Sequence, residues 1–455
     1  MSIDDQPPVT ILSGGLGAGK TTLLNHLLTV GGDRYDIAVL VNDVGEMNVD
    51  AELIENGSEL SMEDDGITEL SNGCICCGLQ NELDQELRRL AFDAEFDHLV
   101  IEASGISDPV PIAQRFLEPA RAAQLYELDT TVTVVDAAQF YRAFVRGDPI
   151  KSTDDDARPL SDLLAEQVEF CDVLVLNKCD LVSEEERRAV ERVLRTLHPD
   201  IDIVGTVNSA VDPERVLGTG RFDRNEASYA SRWKQALSPD HEAGGDHESH
   251  QHDADTDDGS HGHDHDDHDE HGHDHGDEHV HDHDEGHDHD DEHDHLHPPE
   301  EFGVDSFVYE RRRPFHPERF RAWLDSFPET VVRSKGHMWV AGRERFALDM
   351  SQAGTEIHVD VNGRWAATLP EPRQASYRES RSDIQWDDEW GDRESKLVFI
   401  GAGMDESAIV DGLDDCLVDA DAMDEDWEVF DNPFPGTMDW SKPPMQQRLV
   451  IGDTQ

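Results

Sequence analysis

The stretch Gly14-Gly15-Leu16-Gly17-Ala18-Gly19-Lys20-Thr21 constrains the fold more than any other part of the chain. It fits G-x-x-x-x-G-K-[ST], follows an apolar run over 9–13 and opens a helical pattern over 21–29. Strand, glycine loop and helix in that order build a phosphate cradle. Glycines let backbone N–H groups curl around an anion, and the helix N-terminus adds its positive dipole end. Gly14, Gly15, Leu16, Gly17, Ala18, Gly19, Lys20, Thr21 and Thr22 are therefore expected to hold the phosphates of a nucleotide. Lys20 is expected to reach the β/γ-phosphates, and the Thr21 hydroxyl to ligate Mg²⁺. Such a cradle belongs to a parallel α/β sheet, and the pattern agrees. Strands are predicted over 9–13, 37–41, 99–102, 132–136, 173–177 and 201–204, with helices over 21–29 and 82–90 and a helix capped by Ser183 with Glu186 three residues on.

Asn177-Lys178-Cys179-Asp180 follows one of these strands and resembles the guanine-reading N-K-x-D motif. A carboxylate at Asp180 accepts two N–H bonds from the guanine edge, which adenine does not offer, so Asn177, Lys178 and Asp180 point to GTP rather than ATP. Glu102, in Ile101-Glu102-Ala103-Ser104-Gly105, sits at a strand's carboxyl end, where α/β sheets place their chemistry. With Lys20 and Thr21 it is a candidate catalytic residue that holds a Mg²⁺-bound or attacking water. Asn42-Asp43-Val44-Gly45-Glu46 follows the second strand as a candidate switch loop, with Asp43 near Mg²⁺.

Cys74-Ile75-Cys76-Cys77 places three of the six cysteines within four residues, while Cys171, Cys179 and Cys416 are scattered. Clustered thiols in a chain without a disulfide framework point to metal or redox chemistry, and three thiolates plus one oxygen or nitrogen suit tetrahedral Zn²⁺. Glu46 is a candidate fourth ligand; a purely structural cluster is the alternative. Cys171 reads as core packing. Residues 241–297 carry 19 of the 25 His, largely as H-x-H and H-D-H. Neutral imidazoles there would hold several borderline divalent ions weakly, binding that fades below about pH 6 as they protonate.

Composition sorts the remaining possibilities. The formal net charge is −65, which excludes binding to nucleic acid or anionic membrane by bulk attraction. Residues 240–297 hold 24 acidic residues and no Lys or Arg, yet 78 acidic residues face 37 basic ones elsewhere. Acidity that pervasive points to a halophile's salt-rich cytoplasm, where ions screen self-repulsion. No apolar run is long enough to span a membrane, and Met1–Pro8 has neither a basic n-region nor an apolar h-region, so a cytoplasmic protein is expected. Four regions are predicted: a P-loop domain over 1–225, a disordered His/Asp-rich metal-binding linker over 226–301, a smaller α+β domain over 302–420 and an acidic tail over 421–455. In the third region, strands are expected over 304–309, 331–340, 357–361 and 397–400, with a helix over 317–327.

The P-loop, G-C-I-C-C, E-A-S-G and N-K-C-D in that order resemble the CobW-type GTPases, a family of metal-handling P-loop proteins. The likeness continues through Arg312-Arg313-Pro314-Phe315-His316-Pro317-Glu318-Arg319, Val332-Arg333-Ser334-Lys335-Gly336 and Leu397-Val398-Phe399-Ile400-Gly401. The R-R-P-F-H-P-E-R opening is similar to the branch associated with zinc limitation, whereas Val41 stands where some relatives carry a metal-binding acid. The resemblance implies a SIMIBI-class nucleotide domain, GTP hydrolysis and metal held at Glu46, Cys74, Cys76 and Cys77. On that basis GTP and Mg²⁺ are expected to order the segments 42–50 and 71–80 into a metal-gripping state, with hydrolysis passing zinc to a client protein. Turnover is expected to be slow without a partner, since no arginine finger is identifiable. A cobalt (Co²⁺) chaperone for cobalamin synthesis and a passive zinc store are the alternatives.

Overall fold

The computed structural model describes residues 6–32, 34–41, 67–69, 80–93, 96–117, 125–148, 159–222, 304–380, 386–423, 426–436 and 449–451, all within one compact unit. They form two sheets. The first has seven parallel strands in the order β3-β2-β4-β1-β5-β6-β7. These are β1 (Pro8–Gly14), β2 (Ile37–Val41), β3 (Ile67–Glu69), β4 (His98–Glu102), β5 (Glu127–Asp136), β6 (Val173–Asn177) and β7 (Asp202–Gly205). The inner strands are nearly continuous runs of Val, Ile and Leu because helices cover both faces. Leu83 and Leu87 of α2 (Gln80–Asp93) and Phe116 of α3 (Val110–Leu117) pack on one set of strand side chains. Leu23, Leu24 and Leu27 of α1 (Lys20–Gly31) pack on another set.

Strand β5 starts five residues before the predicted 132–136. Asp129, Thr130 and Thr131 break the apolar pattern but are buried and satisfied within the fold. The Asp129 carboxylate accepts the N–H groups of Thr219 at 3.0 Å and Gly220 at 2.7 Å, and the Thr131 hydroxyl donates to the Phe170 carbonyl at 3.0 Å. The helix after Ser183, α6 (Glu184–Leu197), carries the expected capping box. Three helices of this domain went unpredicted: α3, α4 (Ala137–Phe140), continued by a π-turn over Tyr141–Val145, and α5 (Leu160–Phe170).

The second sheet is antiparallel throughout, in the order β13-β11-β10-β9-β12-β8. Its strands are β8 (Val304–Arg311), β9 (Val331–Met338), β10 (Phe346–Ala353), β11 (Glu356–Arg364), β12 (Ser395–Ala402) and β13 (Leu449–Ile451), with α7 (Pro317–Leu324) packed on one face. Strand β10 escapes sequence reading because Asp349, Ser351 and Gln352 interrupt its apolar residues. The predicted helix over 317–327 stops at Leu324. The acidic tail expected over 421–455 needs correction. Trp427 and Phe434 are buried, and Leu449–Ile451 extends the sheet against β11. Three apolar anchors in an otherwise acidic segment suffice to bring it back to the core. The predicted linker over 226–301 lies outside the described residues.

Candidate nucleotide site

Because every strand of the first sheet is parallel, all carboxyl ends fall on one edge. Register places Leu12 beside Glu102, Gly14 beside Val134, and Asp136 beside Asn177. An edge of this kind, where chain crossovers leave a crevice, is where α/β sheets bind ligands.

The loop after β1 can take only glycine at its two tightest points. Gly14 has φ +138, and a Cβ there would lie 2.2 Å from the Val134 carbonyl oxygen. Gly19 has φ +111, and its Cβ would lie 2.3 Å from the Asn177 amide nitrogen. Lys20 is 8% exposed and folds its ammonium back across the loop, donating to the Gly14 carbonyl at 3.0 Å and the Gly15 carbonyl at 3.4 Å. The Thr21 hydroxyl donates to a Glu102 carboxylate oxygen at 3.4 Å. Glu102 itself is only 2% exposed. A cradle too tight for a Cβ, with a cation folded over it and a hydroxyl–carboxylate pair at its edge, fits nucleotide phosphates and a Mg²⁺ ion. Gly105 completes the wall, since a Cβ there would come within 2.9 Å of the Leu16 backbone nitrogen. The E-A-S-G segment is thus packed directly on the P-loop. Leu16 and Thr22 are exposed at the loop's outer side.

The base-reading turn is braced to the same loop. Asn177 is 2% exposed; its amide nitrogen donates to the Ala18 carbonyl at 2.8 Å, and its oxygen accepts the Ser209 N–H at 2.9 Å. Asn177 therefore acts as a strut between β6 and the cradle. Lys178 sits at φ 58 and donates to the Gly17 carbonyl at 2.6 Å and to Asp136 at 2.8 Å. Asp180 is exposed in the short turn Cys179–Leu181, free to face a base. Two participants have no counterpart among the sequence candidates. Asp136 ends a strand as Glu102 does, and that shared position was the available signal. Ser209, at φ 54, donates its hydroxyl to the Gly19 carbonyl at 3.0 Å; no local pattern marks it.

The metal candidates Asp43, Glu46, Cys74, Cys76 and Cys77 lie outside the described residues. Among the described residues, no group of three or more His, Cys, Asp or Glu is arranged to hold a metal ion. Cys171 is buried, its thiol donates to the Val168 carbonyl at 3.4 Å, and burial pushes its pKa up to about 12. It packs rather than reacts, as its sequence context indicated. Burial likewise raises the Cys179 thiol.

A glycine cradle closed by a buried lysine, at the carboxyl edge of a parallel sheet and tied to an N-K-x-D turn, defines a P-loop GTPase. The chain belongs to the CobW family. Residues 8–205 match the CobW/HypB/UreG nucleotide-binding domain, and residues 304–417 match the cobalamin synthesis protein cobW C-terminal domain. It is 33% identical to the zinc-regulated GTPase metalloprotein activator 1 of Dictyostelium discoideum, over 94% of this chain and 84% of that one. It is 32% identical to the zinc chaperone CobW of Sinorhizobium sp, over 53% of this chain and 70% of that protein. Among solved structures, the Zn(II)-bound YjiA GTPase from E. coli aligns at 20% identity over 91% of this chain and 100% of that one, with a TM-score of 0.36. No helix among the described residues is long and apolar enough to cross a membrane.

Proposed function

We propose that this GTPase is a zinc metallochaperone in which the nucleotide sets the grip on the metal. Zn²⁺ is the cargo, held by Glu46, Cys74, Cys76 and Cys77 and passed to a client metalloprotein when GTP is hydrolysed. The P-loop domain over 1–225 carries the switch, the His/Asp-rich segment over 226–301 keeps ions near it, and the sheet beyond residue 302 is the second domain. One observation supports the coupling. Strands β2 and β3 end at the nucleotide edge, with Val41 in register with both Glu102 and Glu69. The segments carrying Glu46 and the thiols therefore both leave the sheet at the same carboxyl edge as the phosphate cradle, two and three strands away from β1. Cys74 is five residues past Glu69, a reach of roughly 17 Å at most. The zinc-named relatives support the choice of metal.

The chain's own groups supply the chemistry. The cradle binds the phosphates through backbone N–H groups, and the Lys20 ammonium exchanges its carbonyl partners for phosphate oxygens. Glu102, fixed by Thr21, orients the attacking water. Mg²⁺, held by the Thr21 hydroxyl and Asp43, supplies charge neutralisation when bound. No nucleophilic side chain is required, because water attacks. Loss of the terminal phosphate releases the loops that contact it, and with them the metal.

The test is Zn²⁺ affinity measured with a non-hydrolysable GTP analogue, with GDP and without nucleotide, with Co²⁺ as competitor. Tighter zinc binding in the analogue state, lost in Lys20→Ala, is the expected result. Equal affinity in all three states overturns the coupling, and preferential Co²⁺ retention overturns the metal assignment.

A further inference from the structure

Lys178 holds an uncommon backbone conformation for a side-chain-bearing residue, at φ 58. Such a conformation persists where the surroundings over-determine it, and that occurs mostly at functional sites. Its ammonium has two fixed partners. One is the Gly17 carbonyl of the P-loop at 2.6 Å; the other is the Asp136 carboxylate at 2.8 Å. The Asp136 side chain is only 13% exposed and has no freedom to turn away. Its other oxygen accepts the N–H groups of Ala138 at 2.9 Å and Gln139 at 3.0 Å, capping α4. The carboxylate is thus split between two tasks: one oxygen pins a helix that starts beside the P-loop, and the other pins the lysine of the base-reading turn.

We propose that Asp136 is a positioning residue for guanine recognition. By clamping Lys178 against Gly17, it makes the cradle and the turn carrying Asp180 a single rigid body. Phosphate binding and base reading are then held at one separation, and the Asp180 carboxylate is presented to the guanine edge without an ordering cost at binding. The inference deepens the GTPase reading and rests on it. It adds a residue from a different strand, outside the N-K-x-D motif, to the specificity apparatus.

Asp136→Asn separates the two tasks. The amide oxygen still caps α4, but an uncharged amide faces the lysine. The measurement is equilibrium binding of GTP and ITP to the full-length chain, ITP lacking the exocyclic amino group that Asp180 would accept. Losing a charge-assisted bond is worth about tenfold or more in affinity. GTP affinity is expected to fall by about that factor, and the preference for GTP over ITP to shrink with it. Lys178→Ala should reproduce the loss, and adding Asp136→Asn to it should bring no further loss. A purely structural role would lower the melting temperature and leave the GTP-to-ITP ratio intact. An unchanged ratio in Asp136→Asn, or full additivity in the double variant, overturns the proposal. If Asp136→Asn does not fold, an unchanged ratio in Lys178→Ala overturns it. A wild-type chain that binds GTP and ITP equally removes the guanine reading and this inference together. Whether the chain binds nucleotide at its cradle at all is read separately, from the loss of binding in Lys20→Ala.

Discussion

At the residue scale, Gly19 shows how tightly cradle and turn are fitted. Its Cβ would intrude on Asn177 and would also stand 2.9 Å from the Ser209 hydroxyl oxygen. Gly19→Ala must therefore push apart the strut that joins β6 to the loop. A loss of GTP affinity of at least about 100-fold is expected, together with a loss of stability of about 1–3 kcal/mol; titration calorimetry and a denaturant melt would read them separately. His98 gives a second residue-scale prediction. It is 1% exposed and hydrogen-bonds the Thr10 hydroxyl at 2.8 Å, and burial pushes its pKa down to about 4 despite the opposing charge of Asp129. In the unfolded chain an imidazole titrates near 6.5, so acid protonates the unfolded state first. The stability this residue brings is present above pH 6.5 and lost as pH falls toward 4, by up to about 3 kcal/mol. Asp172 works in the opposite sense. Burial raises it to about 6, so its cost is relieved as pH falls from 6 toward 3.8. Comparing wild type with His98→Gln at pH 7 and pH 4.5 cancels the Asp172 contribution. The stability gap between them should shrink at the lower pH; a constant gap would show that His98 is not the acid-sensitive group.

At the element scale, the two sheets are joined through α5 and β9. Arg333 of β9 is fully buried. It donates to Glu169 of α5 at 2.9 Å, to Asp162 at 2.5 Å, and to the Gln352 carbonyl at 3.0 Å. Lys335 pairs with Glu166 one helical turn along. Burial raises the Glu169 carboxyl above its usual range, while Arg333 pulls it back down. Removing one partner of such a cluster leaves carboxylates buried without their cation, a loss of about 3–5 kcal/mol. Arg333→Met should destabilise by that amount at pH 7.5. Its carboxylates would then bind protons more readily folded than unfolded, so part of the stability should return by pH 5. A variant equally destabilised at both pH values would point to packing rather than charge. The sequence held a clue to this contact, because V-R-S-K-G was part of the family likeness. Nothing local, however, could assign its arginine to helix residues 164 and 171 positions earlier in the chain. Strand β10 and helix α5 were illegible for a related reason: their polar residues are satisfied by partners distant in sequence, which hides both elements from any periodicity argument.

At the scale of the whole molecule, charge is the dominant fact. A net −65 imposes self-repulsion that screening by salt relieves. The melting temperature is expected to rise by about 10 °C or more between 0.1 M and 2 M KCl. Equal melting temperatures would remove the salt-rich cytoplasm from consideration. Just beyond the π-turn that follows α4, the Gly147 carbonyl accepts the hydroxyl of Thr355, in the turn between β10 and β11, at 3.3 Å.

The sequence by itself determined the phosphate cradle, the parallel sheet around it and the N-K-x-D turn. Each is a short-range matter of glycine freedom, apolar run length and the spacing of a few side chains. Tertiary structure alone decided that Asn177 braces the loop, that Asp136 and Ser209 join the site, that Arg333 locks the two sheets and that Trp427, Phe434 and Ile451 return to the core. Those outcomes depend on which polar group finds a partner across the sheet or across domains. A carboxylate or an arginine looks the same in sequence whether water or a distant residue satisfies it.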